Sequence, residues 1–338
     1  MDVSSVDQAS PGYSRPLPRK KRKWGQGDKK RHISFLLMLL PGFAFLLLFN
    51  YIPMPGIILA FKDFIVRRTP KGHWLQQPFL YSLFIDNKWV GFDNFKFIFS
   101  TPDAWLVIRN TLGYSLVFMV VGLIFSVGLA LMINDLRQKL AAKVYHTIIF
   151  LPFFISWIVV SYVVYGLFAT NGVFNQVLRS MNADTVVWYN EPGIWPFIYV
   201  IANVWRYTGN GSIIYLAALI GFDQQLYEAA AIDGAGKWQQ MIRITLPQLV
   251  PIIVLLQILA VGRIFSSDLD MFWSLRNGSG PLREISLTID VYVMNAIRSG
   301  AKFSQTAAAD LFKNAVGFVM VLGTNLIVRK TAPELALF

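Results

Sequence analysis

Two guanidinium groups, Arg206 and Arg263, stand well inside apolar stretches long enough to cross a membrane, and no Asp or Glu falls within any such stretch. A charge at that depth costs at least about 2.5–3.5 kcal/mol, so each is read as functional. Arg206 and Arg263 can either hold a passing carboxylate with their planar forks or bond helix carbonyls and a partner subunit. The residues of covalent chemistry are missing. The chain has no cysteine, and His32, His73 and His146 are scattered, so no metal site and no cofactor are expected. HExxH and GxSxG motifs do not occur. Asp233-Gly-Ala-Gly-Lys-Trp238 fails as a phosphate loop, because Ala231 stands where the first Gly is needed and Trp238 where Ser or Thr is needed. If ATP drives this protein, another chain hydrolyses it. Proton coupling generally needs an intramembrane carboxylate or histidine relay, which the predicted spans lack.

The elements that position these residues are set by composition. Of 338 residues 55% are hydrophobic and 15% charged, which places the chain among all-α, multi-pass membrane proteins. A span needs roughly 20 apolar residues. Six segments qualify: 33–60, 108–133, 147–170, 195–220, 248–267 and 311–328. Residues 1–32 read as a basic tail and 33–338 as one membrane domain. Between Arg15 and Arg31 there are nine Lys or Arg and one acid, Asp28. A basic run just ahead of an apolar span reads as an anchor on the cytoplasmic side, not as a nucleic-acid arm. Six crossings then put both termini in the cytoplasm, supported by Arg137, Lys139, Lys143, Arg329 and Lys330. The segment 61–107 carries six Lys or Arg of its own, balanced by Asp63, Asp86, Asp93 and Asp103. That segment and 268–310 are too charged to span and are expected to form interfacial or short amphipathic helices.

Between the fourth and fifth predicted spans lies a partly charged loop, 221–247. Leu226 and Ala229 to Ala231 favour helix, Gly234 and Gly236 end it, and a second stretch with Trp238, Met241 and Ile242 is expected to lead to Pro247, which opens the fifth span. Glu228-Ala229-Ala230, Gly234 four residues after Ala230, then Ile244-Thr-Leu246-Pro247 resemble the EAA loop of binding-protein-dependent ABC importer permeases. The resemblance implies that Glu228, Ala229, Ala230, Asp233, Gly234, Ala235, Ile244, Leu246 and Pro247 form the surface coupled to an ATPase. Glu228 would meet a basic residue there, and Gly234 would allow the turn that fits the cleft.

Trp205-Arg-Tyr-Thr-Gly-Asn-Gly211, Ser304-Gln-Thr-Ala-Ala-Ala-Asp310, and Val90-Gly-Phe-Asp-Asn-Phe95 followed by Asn110-Thr-Leu112 are similar to the carbohydrate-uptake branch, nearest to its pectin- and alginate-type systems. The resemblance implies a type I importer: a second permease subunit, two ATP-binding subunits, and an extracytoplasmic solute-binding protein, with lipid around the bundle and no nucleic acid. Its cargo would be an oligosaccharide, and Arg206 with Arg263 points to an acidic one. Tyr162, Trp205 and Tyr207 would line the pathway as stacking rings or serve as ordinary membrane packing. The rival is the same architecture serving amino acids, peptides or an inorganic anion.

Overall fold

The computed structural model describes residues 26–64, 87–136 and 138–338. Most of the tail, Arg137, and residues 65–86 of the first long loop lie outside the described residues. The chain divides into two units, residues 1–55 and 56–338.

In the first unit, α1 (Gln26–Leu46) continues into a π-helical turn at Leu47–Tyr51. The helix begins seven residues ahead of the expected span, so Lys29 to Arg31 are helical. From Phe35 onward its large apolar side chains are exposed on every side. A helix apolar all round belongs in lipid or against another membrane helix.

The second unit is a helical bundle, without β-strands among the described residues. After a 3₁₀ segment at Met54–Phe61 come α2 (Lys96–Phe99), α3 (Ala104–Asn134), α4 (Lys139–Phe150), α5 (Trp157–Phe168), α6 (Val173–Ser180) and α7 (Trp195–Ile220). Then follow α8 (Gln224–Ile232), α9 (Lys237–Gln240), α10 (Leu246–Val261), α11 (Leu269–Arg276), α12 (Arg283–Ser286), α13 (Ile289–Arg298) and α14 (Phe303–Thr331). Short helices do fill 268–310, as expected for a segment too charged to span.

Among the described residues, five stretches are long and apolar enough to cross a membrane: Ser34–Phe61, Ala104–Asn134, Trp157–Ser180, Lys237–Val261 and Phe303–Thr331. The fourth predicted span, 195–220, is the helix α7 with the expected bounds, but it is not one of these five. Its 26 residues reach about 39 Å at 1.5 Å per residue, enough to span. Asn203, Arg206, Thr208, Asn210 and Ser212 make its middle polar. That polarity is sheltered, since Asn203, Thr208 and Ser212 are buried and α7 packs along α3 through most of its length. Close approach is possible because Gly209 has no side chain. A Cβ there would sit 2.7 Å from the Phe150 Cα of the neighbouring helix end.

Three expectations about continuity are corrected. The third span, 147–170, is not one helix: it breaks at Phe150–Ser156, where Pro152 removes a backbone donor and Ser156 caps α5 by accepting from Val159 N–H. Pro247 stands in the first turn of α10, but the helical chain does not begin there; it runs from Lys237 to Val261. A π-turn at Met241–Thr245, closed by Leu246 N–H to Met241 O, takes up the ring that would otherwise clash with the Arg243 carbonyl. The sixth span starts at Phe303 instead of 311, which brings Asp310 inside the helix beside Lys313. One carboxylate therefore does lie within a crossing helix.

The core has two parts. A larger cluster around Trp195, Tyr199, Phe272 and Leu282 joins α5, α7 and α11 to α13 at one end of the bundle. A smaller one, with Val127, Ala130, Tyr215, Leu219 and Leu249, holds α3, α7 and α10 together near the other end.

Candidate functional site

At the end of α7 the chain turns out of the bundle into α8. Asp223 caps this helix by accepting from Gln225 N–H at 2.9 Å. It stops at Gly234, whose φ of +80° is the left-handed conformation that side chains disfavour. Ala235 N–H bonds Ala230 O at 2.8 Å and Gly234 N–H bonds Ala231 O at 3.1 Å. This pair of bonds is the Schellman closure, and it explains why Gly follows the Ala run at this spacing.

No residue of α8 is buried. Glu228, Ala229, Asp233 and Gly234 are exposed, Ala230 and Ala235 half-buried, and Ile232 is 87% and Trp238 70% exposed. The turn is nonetheless held in place. Tyr227 Oη and Thr245 Oγ1 lie 3.1 Å apart, Gln240 Nε2 donates to Ala235 O at 3.1 Å, and Gly236 N–H donates to Gln239 Oε1 at 3.0 Å. Lys237 and Asp135 form an exposed pair at 3.3 Å, worth little energy but placing this turn beside the end of α3. Ile244, Leu246 and Pro247 lie at the π-turn and the first residues of α10, so they join the turn to the crossing helix. The sequence-predicted coupling residues thus lie together, Glu228 to Ala235 as an exposed ledge and Ile244 to Pro247 in the helical segment that follows it.

The second group of predicted residues is only partly brought together. The Arg206 guanidinium lies 4.4 Å from the centre of the Trp157 ring and 5.5 Å from that of Tyr207. Among the described residues its Nε and Nη1 are buried with no hydrogen-bond partner. Trp157 Nε1 and Tyr207 Oη both donate to Asp268 Oδ2, at 2.6 and 2.8 Å. Asp268 Oδ1 accepts from Met271 N–H at 3.1 Å and so caps α11. Tyr207 and Arg263 line a cavity of about 660 Å³, with Ser115 and Phe118 of α3 and Leu256 and Leu259 of α10 among its walls. Tyr162, 73% exposed, and Trp205, 47% exposed, do not line it.

Sequence reasoning missed Trp157, Asp268, and a linked ion group. Lys313 of α14 pairs with Asp290 of α13 and, at 2.9 Å, with Asp310. Asp290 Oδ2 accepts from Ser267 N–H at 2.6 Å and from Ser267 Oγ at 3.0 Å. Residues 267 and 268 therefore fasten α13 and α14 on one side and α5 and α7 on the other. Lys313 stands within the predicted sixth span, and Asp268 one residue beyond the predicted fifth. Counting charges at the margins of spans would have found both.

Residues 118–267, from mid-α3 to the Ser267 anchor, match the family model described as binding-protein-dependent transport system inner membrane component. Protein LplB of Bacillus subtilis (strain 168) is 33% identical over 307 residues, covering 90% of this chain and 91% of its own. From the same organism, the polygalacturonan/rhamnogalacturonan transport system permease protein YteP is 35% identical over 300 residues, 88% of each chain. Among solved structures, a chain of a bacterial ABC transporter involved in the import of the acidic polysaccharide alginate superposes with a TM-score of 0.74. It is 32% identical, covering 90% of this chain and 98% of its own. The alginate transporter in complex with an alginate pentasaccharide-bound periplasmic protein matches with the same TM-score and identity.

Proposed function

Because the chain belongs to the family of binding-protein-dependent transport system inner membrane components, the permeases of ABC importers, we propose that it lines the pathway of an oligosaccharide importer. It is a multi-pass membrane subunit and not an enzyme; hydrolysis of ATP belongs to separate subunits. The observation that carries the reading is the exposed ledge of α8 and its Gly234 closure, a rigid surface with nothing of its own chain on it. On this reading Glu228, Ala229, Ala230, Asp233, Gly234 and Ala235 dock one of two ATP-binding subunits. Ile244, Leu246 and Pro247 pass the stroke into α10. A second permease chain faces Tyr162 and Trp205, and a solute-binding protein delivers cargo at the opposite end. The tail and both termini lie in the cytoplasm.

YteP and the alginate importer are named for acidic polysaccharides, and Arg263 gives this chain a cation on the cavity wall, with Arg206 stacked on Tyr207 of the same cavity without lining it. An oligosaccharide containing uronate is therefore the favoured cargo over amino acids, peptides or an inorganic anion. The assembled importer in proteoliposomes, supplied with binding protein, should take up trigalacturonate only when ATP is present on the ATPase side. Glu228→Arg and Gly234→Asp should abolish that uptake while the permease pair still assembles, and a cysteine at 228 should cross-link to the ATPase. Efficient cross-links from the 61–107 segment instead, or uptake driven by a proton gradient without ATP, would overturn the assignment.

A further inference from the structure

At the far end of α7 from the α8 ledge, three segments distant in sequence close around a pocket of about 330 Å³. They are the end of α5 with Thr170, the 3₁₀ turn Trp188–Asn190, and the loop 277–281 after α11. The volume lies at the small end of the roughly 300–1,000 Å³ range of small-ligand sites, which suits a single ring and its substituents. Tyr165, Phe168, Trp188 and Tyr189 supply aromatic surface; Asn190, Asn277 and Ser279 supply amide and hydroxyl groups. No charged side chain lines it. Rings plus neutral hydrogen-bonding groups are the chemistry that holds a pyranose, whose C–H face is apolar and whose rim is hydroxyls.

The pocket is built, not incidental. Ser279 Oγ donates to Tyr189 O at 2.7 Å, locking the loop to the 3₁₀ turn, and Trp195 Nε1 donates to Trp188 O at 2.8 Å from the core. Asn277 and Gly278 both hold positive φ, 49° and 73°, bending the loop back over the rings. Among the described residues, Trp188 Nε1 and Tyr189 Oη are buried without a hydrogen-bond partner. Buried donors are normally satisfied, so two adjacent orphans on residues that line the pocket set this turn apart from ordinary packing. Burial and the nearby Tyr165 push the Tyr189 phenol up to about 12, which keeps its proton.

We propose that this pocket is an entry subsite for one sugar unit of the oligosaccharide, reading ring face and hydroxyls regardless of the carboxylate, before the chain reaches the cavity at Tyr207 and Arg263. The proposal rests on the oligosaccharide reading above. It is tested on the whole importer carrying 5-fluorotryptophan, with the Trp188 ¹⁹F resonance assigned through Trp188→Phe. Trigalacturonate and maltotriose, each added without binding protein or ATP, should both shift that resonance. In proteoliposomes Trp188→Ala and Asn277→Ala should raise the apparent KM for trigalacturonate about tenfold with little change in maximal rate. Uptake by the wild-type importer reports separately on the oligosaccharide reading. If wild-type uptake proceeds while neither sugar moves the resonance, this subsite falls and that reading stands. A resonance moved only by the binding protein makes the pocket a protein contact and overturns the proposal. Absence of both uptake and shift overturns both.

Discussion

Asp268, which no motif singles out, gathers three donors on one carboxylate. One of its oxygens receives the Trp157 indole and the Tyr207 phenol, the two rings against which Arg206 lies. Asp268→Ala leaves both donors without an acceptor, at about 1–3 kcal/mol each, and removes the cap of α11. Asp268→Asn keeps an acceptor oxygen and should recover most of the loss. Thermal unfolding of the purified complex should rank wild type above Asn above Ala; equal midpoints for Ala and wild type would show that the contact is idle. Arg206 and Arg263 differ in setting, one stacked and half-buried, the other exposed at a cavity wall. Replacing either with Gln should reduce uptake of trigalacturonate more than that of maltotriose, without affecting assembly. An equal fall for both sugars removes the case for an acidic cargo. Tyr189 sets a pH expectation: its folded pKa is raised from 10 to about 12, so its stabilising contribution is complete below 10 and is lost as pH rises through 12. Sugar binding at its pocket should therefore be flat from about pH 6 to 9.

At the scale of elements, Gly234 makes the ledge and Gly317 makes the seam between α10 and α14. Gly234→Ala forces a side chain into the left-handed region, at about 1–2 kcal/mol, and loosens the Schellman closure. ATP-dependent uptake should fall while the bundle still assembles. Gly317→Val should do the reverse damage, because a Cβ there runs into the Gly262 carbonyl; assembly measured by size-exclusion chromatography should fail first. The existence of each crossing helix, the ledge, and the short helices of 268–310 were legible because hydropathy and Gly/Pro punctuation are local signals. The break at Phe150–Ser156 was not, since Pro152 reads alike as a tolerated kink or a helix end until neighbours are known. Nor could spacing show that Trp188 and Asn277 line one pocket, or that Lys313 meets Asp290. These pairs form only when separate helices dock, and no periodicity within one segment encodes them. The polar middle of α7 was visible as Arg206, but only packing against α3 explains why it is tolerated there.

Across the whole molecule, residues 56–338 have two distinct ends, and each end is defined by contacts between loops far apart in sequence. The Lys237–Asp135 pair and a shared cavity put the α8 ledge beside the end of α3. The carboxy-terminal segment folds back on α14, with Asn325 Nδ2 donating to Phe338 O at 3.0 Å. The Ser279–Tyr189 bond defines the opposite end. On the proposed function the ledge end faces the cytoplasm, a reading supported by the positive-inside rule applied to Lys143, Arg243, Arg329 and Lys330. The chain contains no cysteine, so single substitutions can be labelled without background. Asp223, Glu334 and Glu191 are exposed and suit the purpose. In intact cells a membrane-impermeant maleimide should label Glu191→Cys at once, and Asp223→Cys and Glu334→Cys only after lysis. Labelling of Asp223→Cys before lysis would invert the molecule, taking the ATPase ledge and the sugar entry subsite with it. Labelling of Glu334→Cys alone would instead mean an odd number of crossings between α7 and the carboxyl terminus, which the continuous helices at Lys237–Val261 and Phe303–Thr331 argue against.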